Sequence, residues 1–187
     1  MSGPGRSARR LLTATQIAAF CDVDLKTIHN WADRGKIRGW RTAGRHLRFR
    51  RADVVDFLRP YGFPMPSALR ESRPRVVAIE ADGASLEWIQ RTLSRRFEVE
   101  GFGHVVDGLV ALASLDADVA VLGEVSPLDA AAVAARLQAI ESTRHVRVVA
   151  LRASAAKDAA AAGAVPSAPR GDAARLREVL EKLTGLD

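Results

Sequence analysis

Between Pro60 and Pro66 three prolines fall within seven residues, and Pro74 follows soon after. Each fixes φ and removes a backbone donor, so neither a helix nor a central strand runs through such a segment. The chain is therefore expected to form two domains, with residues 60–74 as an extended linker. Its 187 residues suffice for two small domains. Before the prolines, over residues 11–59, short helical patterns alternate with basic stretches. After them, over residues 75–187, apolar strand-like runs alternate with amphipathic ones. Residues 1–10 form a basic tail without the apolar run of a secretory signal.

Charge divides the same way. The net charge is +6, but residues 1–75 hold 16 Lys and Arg against 6 Asp and Glu, a net of +10. Residues 76–187 hold 12 against 16, a net of −4. A GC-rich genome would explain why Arg outnumbers Lys 24 to 4. It would not gather the positive excess in one half, so the first half is the part expected to meet a polyanion. The single cysteine, Cys21, excludes an internal disulfide framework and a multi-cysteine zinc site. No apolar run approaches the roughly 18 residues of a membrane span. The expected location is the cytoplasm, in association with the nucleoid.

In the first half, Thr13 and Gln16 have the spacing of a capping box, and a short helix should follow with Ile17, Phe20 and Cys21 in a core. Asp24 is placed to cap a second helix running to about Arg34, terminated by Gly35. Leu25, Ile28 and Trp31 recur at i, i+3 and i+6 and are expected on its apolar face. Lys26, Thr27, His29, Asn30 and Asp33 fall on the other face. Lys36 to Arg50 reads as a hairpin turning at Ala43-Gly44, with Ile37, Leu47 and Phe49 inward and Arg41, Arg45, His46 and Arg48 around the tip. Ala52 to Leu58 completes the domain as a helix offering Val54, Val55, Phe57 and Leu58.

Read in order, Leu-Thr at 12, Gln-Ile-Ala at 16, Lys-Thr-Ile-His-Asn-Trp at 26, Arg-Gly-Lys-Ile at 34, Gly-Arg-His-Leu-Arg at 44 and Ala-Asp-Val-Val-Asp-Phe-Leu at 52 form a series. It resembles the excisionase-like branch of the MerR-type winged helix-turn-helix family. One departure is Ala52, where that family often has a Ser capping the final helix. The resemblance implies a recognition helix in the major groove of double-stranded DNA, where Asn reads adenine and Lys or Arg reads guanine. The DNA-binding residues it implies are Lys26, Thr27, His29, Asn30, Arg34, Lys36, Arg41, Arg45, His46 and Arg48. Base readout falls to Lys26 and Asn30, and the wing cations fall on phosphates or the adjacent minor groove. Trp31 and Trp40 are expected to pack rather than stack on bases. His29 and His46 lack the company of a metal site. A winged helix used for protein contacts is the competing reading.

The second half begins with the strand pattern Arg75 to Ile79, then Glu80-Ala-Asp82 and a helical face of Leu86, Ile89, Leu93 and Phe97. A strand over Phe97 to Phe102 follows, then a helix over Gly108 to Leu115, a strand over Val119 to Leu122 and a helix over Ala130 to Ile140. Val146 to Leu151 reads as a strand, Ala153 to Ala164 as an alanine-rich helix, and Leu176, Val179, Leu180 and Leu183 as the apolar face of the last helix. Such alternation points to a doubly wound parallel sheet, giving an α/β two-domain chain overall.

With Asp118 to Leu122, Pro127 and Gly163-Ala164 as anchors, this half resembles the receiver domain of response regulators. There an aspartate after the third strand accepts a phosphoryl group beside Mg²⁺ held by acidic neighbours. The matching positions here are Gly123 for the acceptor, Ala81 for the second acid, Arg152 for the hydroxyl residue, and the Ala168-Pro169 region, with Arg170, for the lysine. Glu80, Asp82 and Glu124 are expected to bind a cation weakly or to be solvated loop acids. The resemblance thus implies a phosphorylation-incompetent pseudo-receiver that dimerises or docks a protein, with helices at 153–162 and 175–183 as the pairing face.

The composite expectation is a sequence-specific DNA-binding protein, a bacterial transcriptional regulator acting as a homodimer through its second half. An architectural, excisionase- or nucleoid-type role is one alternative, and a signalling adaptor with a protein partner is another. No catalytic constellation, metal site or cofactor is expected, and no membrane partner.

Overall fold

The computed structural model describes residues 11–123, 129–153 and 165–186, in two units divided between Pro66 and Ser67.

The first unit starts from its caps. Strand β1 (Leu12–Thr13) leads directly into α1 (Ala14–Cys21). The Thr13 hydroxyl accepts from the Gln16 N–H at 3.2 Å while Gln16 Oε1 accepts from the Thr13 N–H at 2.9 Å, so both arms of the capping box are closed. The helix ends at Asp22, in the left-handed region at φ 52°. After Val23, Asp24 caps α2 (Leu25–Asp33) by accepting from the Thr27 N–H at 2.7 Å. Gly35 closes α2 at φ +69°, where a side chain would be strained. Its N–H donates to Ala32 O and the Lys36 N–H to Trp31 O, the two bonds of a Schellman motif.

Strands β2 (Trp40–Arg41) and β3 (Leu47–Phe49) form the hairpin, pairing Trp40 with Arg48 and Arg41 with Leu47. The turn is closed by the Arg45 N–H donating to Thr42 O, which places Ala43-Gly44 at its centre as expected. The sequence pattern does not anticipate β1. It pairs with the other edge of β3, Leu12 opposite Phe49, to give a three-stranded sheet. Gly39 is a requirement of packing, since a Cβ there would lie 2.6 Å from the ring of Phe49. Helix α3 (Arg51–Leu58) starts one residue before Ala52. Its N-cap is Arg50, without a side-chain cap bond, so Ala52 lies buried inside the first turn rather than at the capping position. Ile17, Ile28, Ile37, Phe49, Val54 and Leu58 form the fully buried core.

Residues 60–74 are not extended throughout. Phe63 N–H donates to Leu58 O and Gly62 N–H to Arg59 O, which turns the chain back after α3. Phe63 then lies 6.3 Å from Trp31 and 6.0 Å from Phe57, and Tyr61 lies 5.0 Å from Phe57, centroid to centroid. Aromatic area outweighs the proline signal here. Beyond it, α4 (Ser67–Arg70) is a single turn whose Leu69 is buried.

That unit is a five-stranded parallel sheet of β4 (Arg75–Ile79), β5 (Glu98–Phe102), β6 (Val119–Leu122), β7 (Arg147–Arg152) and β8 (Ser167–Pro169), in spatial order β5-β4-β6-β7-β8. Successive side chains of a strand face opposite ways. Val76 and Ala78 accordingly join the core under α5 (Gly83–Leu93) and α8 (Ala173–Thr184). Val77 and Ile79 join the core under α6 (Val105–Ser114) and α7 (Ala130–Ala139). Strands buried on both faces explain their continuous apolar runs.

Several expectations shift. Helix α5 stops at Leu93, so Phe97 is buried from beyond its end rather than on its face. Helix α6 begins at Val105, three residues before Gly108, and α7 ends at Ala139 with Ile140 exposed. Strand β8 carries no signal in the sequence pattern. Leu176, Val179 and Leu180 of α8 cover the sheet, while Leu183 is half-buried. Of the features expected from sequence, the basic tail at 1–10, Glu124, Pro127, the helix at 153–164 and Gly163-Ala164 fall wholly or mainly outside the described residues.

Candidate functional sites: a basic helix-and-wing face and a filled acidic pocket

On α2, Lys26, Asn30 and Asp33 recur at i, i+4 and i+7 and are all exposed, while Ile28 on the far side is completely buried. His29 is half-buried beside them. Thr27 is half-buried like His29, and its hydroxyl donates to Asp24 Oδ2 at 3.2 Å, so it takes part in the cap. Arg34 and Lys36 are exposed just beyond the helix end. Leu25 departs from expectation. It is 46% exposed, because at the first position of α2 no preceding turn brings it over the core.

The wing is tied to this helix. Arg41 Nη2 bonds Asp33 Oδ1 at 2.9 Å, and its Nη1 donates to Arg45 O at 3.3 Å. The pair neutralises the one acid on the exposed stripe of α2 and fixes the hairpin beside it. Arg45 and His46 are exposed at the tip, with Arg45 in the left-handed region at φ 60°. Arg48 is half-buried, its Nη1 donating to Leu47 O at 2.9 Å. Sequence reading misses Arg50, whose guanidinium sits 4.9 Å from the centre of the Trp40 ring. The strand register explains that contact: Trp40 faces Arg48, so Arg50 is its diagonal neighbour. Burial pushes the Cys21 thiol up, away from nucleophilic use.

At the C-terminal end of the parallel sheet, Ile79 pairs with Leu122, so Glu80 and Gly123 emerge side by side. Glu80 is 1% exposed. Its Oε2 accepts from Arg170 Nη2 at 2.7 Å and its Oε1 from the Asp82 N–H at 3.0 Å. The expectation of a solvated loop acid is thereby corrected for Glu80, which is buried with a donor on each oxygen. A Cβ on Gly123 would lie 2.0 Å from Glu80 Oε2. The missing side chain at Gly123 is therefore the space that the Glu80 carboxylate fills. Asp82 instead caps α5. The Ser85 side chain and backbone N–H hold its carboxyl below the usual carboxylate range. Arg152 ends β7 exposed, opposite Pro169. Among the described residues no group of three or more His, Cys, Asp or Glu is placed to hold a metal ion, and no helix is long and apolar enough to cross a membrane.

Comparison with known proteins agrees with both halves. Residues 11–60 match the helix-turn-helix domain family. The remaining half has the receiver fold. It is similar to a response regulator from Thermotoga maritima (TM-score 0.52, 18% identity, covering 61% of this chain and 99% of that one). It is also similar to the signal receiver domain of a DNA binding response regulator protein (merR) from Colwellia psychrerythraea 34H (TM-score 0.51, 16% identity, covering 60% and 98%). A third similar structure is the chemotaxis response regulator CheY4 of Vibrio cholerae (TM-score 0.51, 13% identity, covering 60% and 99%). None of the curated proteins matches the chain. The strand order of the receiver-like unit is the doubly wound order in which ligands bind outside the carboxyl ends of the strands, which is where Glu80, Gly123 and Arg170 lie.

Proposed function

We propose that this chain is a sequence-specific DNA-binding regulator of transcription, working as a homodimer whose receiver-like unit acts without being phosphorylated. The observation that carries the reading is the exposed stripe of α2 joined to the wing by Arg41 and Asp33. That arrangement presents a helix and a basic hairpin together, as a winged helix-turn-helix of the MerR or excisionase type presents them to adjoining parts of a duplex. Lys26 and Asn30 carry the donors and acceptors suited to guanine and adenine edges. Arg45, His46 and Arg48, with Arg34 and Lys36, supply the positions for phosphate contacts.

The role proposed for the second unit is non-enzymatic. Its phosphoacceptor position is Gly123, and the neighbouring volume holds Glu80 paired with Arg170. One small winged helix buries little DNA surface, so useful affinity calls for two copies on adjacent half-sites. The receiver-like unit is proposed to supply that pairing in the cytoplasm, on the nucleoid.

The test is sequencing of host genomic fragments retained by the purified full-length protein at near-physiological salt. A shared motif at a few upstream regions is the expected result. Broad, motif-free retention would replace this reading with an architectural one. An absence of retained DNA would move the winged helix to a protein partner.

A further inference from the structure

Leu25 is the first residue of α2 and is 46% exposed although the rest of the helix has a buried anchor in Ile28. It shares a ridge with His29 four residues on, and its chain neighbour Lys26 begins the polar stripe. In helix-turn-helix complexes the residues at the N-terminal end of the second helix are those that reach base edges. There an apolar side chain has one specific partner, the 5-methyl group of thymine. The surroundings suit that occupant. Lys26, the chain neighbour of Leu25, is exposed and supplies a cation that draws in phosphate at this end of the helix.

We infer that Leu25 is a specificity-determining residue that reads a thymine through its methyl group in the major groove. The inference rests on the DNA-binding reading above and adds the base class recognised at one position.

Methyl deletion in the DNA tests it without disturbing the protein. A preferred duplex is selected from a randomised library by the full-length chain, and each thymine in turn is replaced by deoxyuridine, which preserves base pairing. At one thymine per half-site the substitution is expected to weaken binding about fourfold, the worth of one buried methyl group. Leu25→Ala should weaken binding to the thymine duplex similarly and be indifferent to deoxyuridine at that position. Unchanged affinity at every thymine, or a deoxyuridine penalty of the same size in Leu25→Ala as in the parent chain, would overturn the inference and leave DNA binding intact. Loss of self-association in Leu25→Ala with no deoxyuridine effect would overturn it in favour of a contact between copies. Failure to select any duplex would overturn the DNA-binding reading and the inference together.

Discussion

The two units use arginine and acid in opposite ways. In the helix-turn-helix unit the Arg41–Asp33 pair lies at the surface, with side chains 38% and 60% exposed, and neighbouring cations remain open to solvent. In the receiver-like unit the Arg170–Glu80 pair lies at the end of the sheet, with the Glu80 side chain 1% exposed and that of Arg170 30% exposed, so the contrast rests on the acid. A surface pair contributes little stability and leaves the surface available to a polyanion. A buried pair costs desolvation, fills volume and becomes hard to lose. The acid is exposed in one pair and enclosed in the other.

The strongest way to break that contrast is at the buried pair. Arg170→Ala should destabilise the receiver-like unit by about 3 kcal/mol in chemical denaturation, because the buried Glu80 carboxyl would lose the partner of its Oε2. Gly123→Ala should also be destabilising, since its Cβ would displace the Glu80 carboxylate. A loss near zero in both variants would mean that the pair does not hold the pocket closed. On the other unit, Lys26→Ala and Asn30→Ala should each lower affinity for the preferred duplex by about 1–3 kcal/mol while affecting random DNA much less. Equal losses on both would move the reading surface elsewhere. Arg45→Ala combined with Arg48→Ala should weaken binding to every sequence, and the salt slope should fall by about 1 for each phosphate left without its cation. Smallest of all, Asp33→Asn should change thermal stability by less than about 1 kcal/mol, as expected of an exposed pair. A larger loss would show that the wing depends on that tie for its fold.

Much of this was legible in the sequence where the signal was local. Thr13 with Gln16, Asp24 and Gly35 each act within a few residues of themselves, and each capping or terminating role is observed. Strands β4 and β6 were legible because burial on both faces leaves an uninterrupted apolar run. What escaped was non-local. Strand β1 has two residues, too short for any periodicity, and β8, with three, was placed near Ala168-Pro169 by the receiver resemblance alone. Tyr61 and Phe63 were masked by the prolines around them, whose effect on φ says nothing about where an aromatic ring packs. Leu25 fitted the i, i+3, i+6 spacing, yet spacing along a helix cannot tell where the core beneath it ends. At the receiver-like pocket, the missing aspartate was readable as Gly123. The occupant of its space was not, because Glu80 and Arg170 are 90 residues apart in the chain.

The most direct test of the central claim is a binding titration of a labelled preferred duplex with the full-length protein, with and without acetyl phosphate and Mg²⁺. Saturable binding and superimposable curves are the predicted result, since one unit presents the DNA surface and the other has no free acceptor at Gly123. A shift of the curve on adding the phosphodonor and Mg²⁺ would contradict the closed pocket, and failure to bind under either condition would contradict the DNA surface itself.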